Sequence, residues 1–498
     1  MRRLRWPAAV LACVVLILGA IVLHDRHSPG KPLLHARTDF TTFYCAGEVT
    51  RERADPYRVE PMRACEHRLG EFDEPGRASW EVIPAPFPGY LLAFYALMSR
   101  VPFGIAHVLW LGALLSALGV ATWALARVTG FHPVPVAIVL AAIVGFWDLA
   151  HGEPTPIVVM LLALAAERAS RGAWTAAGVL TALAAIMPQL ALPACLALLL
   201  FAPRARVALL ATLCVLAVVS LAALGVAENV EYFARTLPQQ AVSEVYFDAQ
   251  FSVTHLLAML GVSERVALPA GSISYVVLVA LGIAAGARLM RLNGQPAALV
   301  LIPPAIASVG GAYSHDMQVL TAVAATLLFA SLPGVPSRIA VVPLVIFSVL
   351  WIGDSAWRGL LAVTSLSALA ALWLAADRLE LTGARRWRFI GVSAVALAAA
   401  FGTLHLLPTA DRERDISRVP SPVIAASDPI ATVWTYRNRL PPFMRHDLRF
   451  EALKVPYVFA LAVIAGCALG VRGAARSGQP PARSDAVFSG ASSRTIVS

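Results

Sequence analysis

The sequence predicts an all-α polytopic membrane protein, and three observations carry that prediction. Charged residues make up 14% of the 498-residue chain and hydrophobic residues 58%, whereas a soluble chain carries about 25% charged residues. The mean hydropathy is +0.70. Apolar residues also fall in runs of about 20, the length that crosses a bilayer as a helix; residues 6–24, 106–125, 207–226 and 390–407 are examples. Amphipathic periodicity is weak inside these runs, as expected where most of a helix meets lipid or other helices.

The net charge of +10 does not point to nucleic acid. Its basic residues gather in short loops between apolar runs, the pattern of cytoplasmic loops in membrane proteins. Residues 1–23 imitate a signal peptide. The apolar run is near spanning length, however, and His24-Asp25-Arg26-His27 follows it rather than a small-residue cleavage site, so an uncleaved first helix is expected.

Arg2, Arg3 and Arg5 hold the N-terminus inside on this reading. The first helix then delivers a long polar loop, residues 25–85, to the outside. Residues 86–98 are apolar but short and precede Pro102, which suggests a helix lying in the interface. Alternating crossings from there place Arg127, Arg168, Arg171, Arg204, Arg206, Arg288, Arg291, Arg338, Arg385, Arg386 and Arg388 on the inner side. Further outer loops are expected over 227–250 and 409–454, and a last helix over 455–471. The expected architecture is one polytopic domain over 1–472, a bundle of about 12–14 transmembrane helices. Its large first outer loop carries interfacial helices, and a disordered cytoplasmic tail covers 473–498.

Six cysteines show no metal-site spacing. Cys13, Cys195, Cys214 and Cys467 lie inside apolar runs, as buried small hydrophobes do. Cys45 and Cys65 share the first polar loop; spacing leaves open whether they pair.

This tracing brings the chain's unusual polar residues to one side. Asp39 opens Asp39-Phe40-Thr41-Thr42-Phe43-Tyr44, near the membrane and among aromatics. His151-Gly152-Glu153-Pro154, Met187-Pro188-Gln189 and Ser314-His315-Asp316 each interrupt a pair of apolar runs. Ionisable groups at such depths are costly and mark functional sites. Non-helical backbone there is tolerated only against protein or a water-filled cavity. Interfacial turns remain an alternative reading for Glu153 and Gln189.

The order of these residues resembles the polyprenyl-phosphate-mannose-dependent mannosyltransferases of glycosyltransferase family 87, which have the GT-C membrane fold. The resemblance runs through Asp39, Ala54-Asp55-Pro56-Tyr57, Pro86-Phe87-Pro88, the breaks at 152–153 and 187–189, and Ser314-x-His315-Asp316 wherein x is absent, since the serine abuts the histidine here. It implies inverting transfer of a hexose, mannose above all, from a polyprenyl phosphate to a glycan or glycolipid hydroxyl at the outer face of the cytoplasmic membrane, with no cofactor and no obligatory metal. It also implies that Asp39 is a general base and that His315 serves the leaving phosphate or orients the acceptor, with Asp316 fixing the imidazole. Tyr44, His151, Glu153, Gln189 and Asp316 are the expected substrate-binding residues. The chain departs from the family at Glu153, where a Gln is usual, and at Met187, where a Lys is usual; Arg235 is a candidate to replace that Lys. A transporter or flippase for a lipid-linked glycan, and a non-catalytic relative, are the competing readings.

Overall fold

A computed structural model describes residues 38–70, 78–352, 358–407, 419–440 and 448–470. The expected first helix over 6–24 and the tail over 473–498 lie outside these residues. Every regular element among the described residues is helical.

The first polar loop contains two helices, α1 (Thr38–Arg51) and α2 (Val59–Arg68), and a short apolar α3 (Gly89–Met98) follows. α4 (Phe103–Thr129) leads to α5 (Pro133–Leu140), which runs through a π-helical turn (Ala141–Gly145) into α6 (Phe146–His151). Next come α7 (Thr155–Ser170), α8 (Trp174–Leu183), α9 (Pro188–Phe201) and α10 (Pro203–Glu231). A second π turn (Tyr232–Thr236), α11 (Leu237–Ser243), α12 (Val253–Met259), α13 (Glu264–Asn293) and α14 (Ala298–Ala307) follow. The chain continues through α15 (Asp316–Leu320), α16 (Val323–Ser331), α17 (Ser337–Phe347), α18 (Arg358–Arg378) and α19 (Gly383–His405). α20 (Ile430–Asn438) and α21 (Leu448–Gly470) complete the described chain.

Six helices among the described residues are long and apolar enough to cross a membrane, and seven apolar helices are shorter, at 10–17 residues. The molecule is thus a polytopic membrane protein in which the shorter segments are pieces broken by proline and polar residues. α4 packs on α7, α13 on α14, α10 on α8 and α3, and α17 on α21. α10 and α19 lie outermost, with only 11% of their apolar windows buried. Val207 and Val392, 81% and 71% exposed, face outward as lipid-facing positions do.

Two expected loops prove to be largely helical. Residues 227–243 continue from α10, because Gly225 (φ 83°) breaks that helix and Asn229 rejoins it. The Asn229 amide donates to Ser220 O at 3.0 Å and Gly225 O at 2.5 Å. α21 begins at Leu448 rather than near 455. Its charged first turns stay helical because Lys454 donates to Glu451 Oε1 at 2.7 Å and Glu451 meets His255 Nε2 at 3.0 Å.

The basic loops collect at one end of the bundle. Buried Glu167 meets Arg171 at 2.7 Å, Arg168 at 3.5 Å and Arg127 at 3.7 Å. Asn293 accepts from Gly334 N at 2.6 Å, and Arg378 donates to Leu332 O at 2.7 Å. At the other end, two segments far apart in sequence form a roof. Val59 N donates to Asp428 O at 2.9 Å, Glu60 N to Ala426 O at 3.0 Å and Ile430 N to Tyr57 O at 3.0 Å. Trp80 Nε1 donates to Val419 O at 3.2 Å, and Arg437 pairs with buried Glu81 at 2.8 Å. Within the roof Cys45 and Cys65 form a disulfide with a Cα–Cα distance of 5.7 Å, tying α1 to α2.

Candidate active site

Beneath the roof lies a cavity of about 1340 Å³, and Asp39, His151, Glu153, Gln189, His315 and Asp316 all line it. α1 supplies Asp39 in its first turn, where the helix N-terminus favours negative charge. Phe40 anchors that turn. It is fully buried and stacks on Phe103 and Trp110 at centroid distances of 5.8 and 6.1 Å.

Gly152 explains how the break after α6 reaches α1. It has φ +79°, and a Cβ there would lie 2.6 Å from Phe40 Cβ, so no side chain fits in conformation or in space. Its carbonyl accepts from Trp110 Nε1 at 2.6 Å. The next residue, Glu153, therefore stands beside Asp39, and the two carboxyls are hydrogen-bonded. Burial, followed by the charges of Asp39, Asp148 and Asp316, pushes the Glu153 carboxyl well above the usual carboxylate range. Two carboxyls this close disfavour double ionisation, and the direction of the shift favours the neutral form at Glu153.

His315 is placed by a short strand-like pairing. Phe251 N donates to Ser314 O at 2.6 Å and Asp316 N to Ala249 O at 2.9 Å, while Gln250 and His315 form an antiparallel bridge. Its imidazole partner is Glu244, not Asp316 as the resemblance implied: Nε2 lies 3.4 Å from Glu244 Oε2. The Asp316 side chain instead accepts from the Met317 backbone N–H at 2.8 Å, as carboxylates at helix starts do. Glu244 is itself held from three sides. Gln240 donates at 2.7 Å, Gln250 at 3.1 Å and Trp434 Nε1 at 2.9 Å. Burial is the largest single influence and opposes the charged form of His315, but Glu244, Asp316 and Asp39 together outweigh it and raise the imidazolium pKa above its ordinary value.

Met187 also lines the cavity. It is an extended residue between α8 and α9, with Pro188 at the first helical position. Its sulfur accepts from the Thr155 hydroxyl at 3.8 Å. Gln189 follows, and its carbonyl accepts from Tyr275 at 2.6 Å. The two remaining expectations are not brought to the cavity. Tyr44 is buried and donates to Val101 O at 2.9 Å, a packing role between α1 and the start of α4. Arg235 is exposed in the second π turn and does not line the cavity.

Glu244, Gln240, Trp434 and Arg437 line the cavity as well, and the sequence analysis singled out none of them for a role there. One apolar wall includes Leu192, Leu213, Phe233 and Leu268. Leu192 and Phe233 are 45% and 66% exposed, so this wall continues onto the outer surface of the bundle. Among the described residues no group of three or more His, Cys, Asp or Glu is arranged to hold a metal ion.

Chemically, the arrangement offers a hydrogen-bonded carboxyl pair, an imidazole beside a buried carboxylate, and an apolar wall open to the side. Residues 86–312 match the model of glycosyltransferase family 87. No curated protein matches the chain.

Proposed function

We propose that this membrane glycosyltransferase, which carries a family 87 domain over residues 86–312, moves a hexose from a polyprenyl phosphate to a hydroxyl acceptor with inversion. Mannose is the expected sugar, and a glycan or glycolipid the expected acceptor. The observation that carries the proposal is the convergence of Asp39, His151, Glu153, Gln189, His315 and Asp316 on one cavity, although they come from four separate stretches of chain.

In the proposed reaction Asp39 takes the proton of the acceptor hydroxyl as its oxygen bonds to the anomeric carbon from one face. The bond from that carbon to the phosphate oxygen breaks on the other face, and its electron pair leaves on the phosphate. The imidazolium of His315, kept charged by Glu244, donates a hydrogen bond to that phosphate as negative charge builds there. Glu153, whose carboxyl burial and neighbouring acids push toward the neutral form, stands where the family has a Gln. The lateral apolar wall at Leu192, Leu213 and Phe233 suits the polyprenyl chain, which can stay in lipid while its phosphate enters.

We place the cavity at the outer face of the cytoplasmic membrane. Two features support this orientation. The Cys45–Cys65 disulfide lies on the cavity side, and disulfides persist in oxidising compartments. The basic loops sit at the opposite end, as cytoplasmic loops do.

The test is transfer of label from a polyprenyl-phosphate hexose to an envelope acceptor fraction by purified protein in lipid vesicles. Asp39→Asn is expected to lower turnover by about 10²–10⁴-fold while donor binding persists. Near-normal turnover in this variant removes Asp39 as the base. Movement of donor across the bilayer without a labelled product would replace the transferase by a flippase.

A further inference from the structure

The proposed donor is an anion, and the cavity meant to receive it is lined by carboxyls: Asp39, Glu153, Glu244, Asp248 and Asp316. The lysine expected at position 187 is a methionine. Among the described residues lining the cavity, one side chain is permanently cationic, Arg437 on α20. It lies outside the family match and 250 residues beyond Met187.

Arg437 is held in place before any ligand arrives. Its Nε donates to Glu81 Oε1 at 2.8 Å and its Nη1 to Asn438 Oδ1 at 3.0 Å. Its guanidinium carbon stands 4.5 Å from the centre of the Trp434 ring, and Trp434 Nε1 donates to Glu244 at 2.9 Å. A continuous set of contacts therefore runs from Arg437 through Trp434 and Glu244 to His315. Guanidinium groups recognise phosphate oxygens through a planar fork of donors, and one already fixed in place loses little freedom on binding.

We infer that Arg437 is a phosphate-binding residue of the donor site and supplies, from the late roof segment, the cation that position 187 lacks. The ligand chemistry is a phosphate monoester or diester on an isoprenoid chain. This inference rests on the proposed lipid-phosphate donor, so its test must separate the two.

The test compares farnesyl phosphate with farnesol, the same chain without the anion, binding to the full-length protein in detergent. The wild type is expected to bind the phosphate at least tenfold more tightly than the alcohol. Equal affinities in the wild type would reject the lipid-phosphate reading itself, and this inference with it. Arg437→Gln alone strands buried Glu81, so the informative variant is Arg437→Gln with Glu81→Gln, which replaces the ion pair by a neutral pair. That variant is expected to lose most of the phosphate preference, with farnesol affinity unchanged. A folded double variant that keeps the wild-type preference overturns the role of Arg437 and leaves the donor reading standing. Should the double variant not fold, Arg437→Lys decides. It retains the charge and the pairing with Glu81 but not the fork, so a threefold or greater loss for the phosphate alone supports the inference. Unchanged phosphate affinity overturns it.

Discussion

Glu244→Gln isolates the electrostatic heart of the site with a change of one atom type. The carboxylate lies 3.4 Å from His315 Nε2. At an effective dielectric of about 20, unit charges at that distance attract by roughly 5 kcal/mol. His315 has a 29% exposed side chain, so solvent screening reduces the attraction to roughly 2 kcal/mol. The sign follows from the direction of the shift. Glu244 raises the imidazolium pKa, so its loss lowers that pKa and His315 sheds its proton at lower pH. If protonated His315 assists the leaving phosphate, the alkaline limb of the pH–rate profile moves to lower pH. The loss of activity is therefore expected to grow from the acid to the alkaline end of the profile, reaching about tenfold or more where a contact of roughly 2 kcal/mol is fully lost. The assay is initial rate of hexose transfer from pH 5.5 to 9, with thermal unfolding measured beside it. The unfolding control is needed because the new amide faces the donor of Gln250, a mismatch costing about 1–3 kcal/mol. An unmoved alkaline limb in a folded variant would refute the reasoning, since His315 would then not act through its charge.

Four further outcomes are expected. Met187→Lys should tighten donor binding by about tenfold through a charge-assisted contact with phosphate; unchanged affinity in a variant of wild-type thermal stability removes position 187 from the phosphate site. Glu153→Gln should change donor affinity by less than roughly twofold, because burial and the neighbouring carboxyls already favour the neutral form of Glu153. A carboxyl with a raised folded pKa loses stability as pH climbs from its unfolded pKa, about 4.5, toward the folded one. This variant should therefore also flatten the decline of unfolding temperature that begins above about pH 5, and a persisting decline would assign it to another group. Replacing Cys45 and Cys65 together by Ser opens a loop of sequence separation 20; about 3 kcal/mol of stability should go with it, read as a lower unfolding temperature that reductant no longer changes. For orientation, a cysteine introduced at exposed Ser79 should react with a membrane-impermeant maleimide in intact cells, and labelling only after lysis would invert the proposed topology.

The three breaks at His151–Pro154, Met187–Gln189 and Ser314–Asp316 were legible because proline and ionisable residues stand out inside apolar runs. Asp39 was legible from its place at the edge of the first loop. The imidazole partner was not. Sequence proximity favoured Asp316, but that carboxylate is taken up by its own helix start, and Glu244 arrives through the pairing of residues 249–251 with 314–316. Nothing local in the stretch around 244 distinguishes a buried acid held by two glutamines and a tryptophan from a solvated one. The helical extensions of α10 and α21 were hidden for a related reason. Glu231, Arg235, Glu451 and Lys454 count as loop residues by composition. In the fold, Glu451 and Lys454 pair with each other, and Glu231 meets Arg58 across the roof. Tyr44 illustrates the reverse error, an aromatic close in sequence to Asp39 whose hydroxyl is used in packing.

The roof joins residues near 60 to residues near 430, so during synthesis it can close only once residues 419–440 have been made. The first half emerges early and must wait while the intervening helices are threaded into the bilayer. Through that interval Arg437 and Trp434 have not been made, so Glu81 is without its guanidinium and Glu244 without its indole donor. A nascent chain made as far as α19 already contains Asp39 and His315, yet lacks the part of the cavity wall that Trp434 and Arg437 form. The late segment over residues 419–440 is thus what completes the cavity wall and ties the roof together, and it does so after nearly every other lining residue has been made.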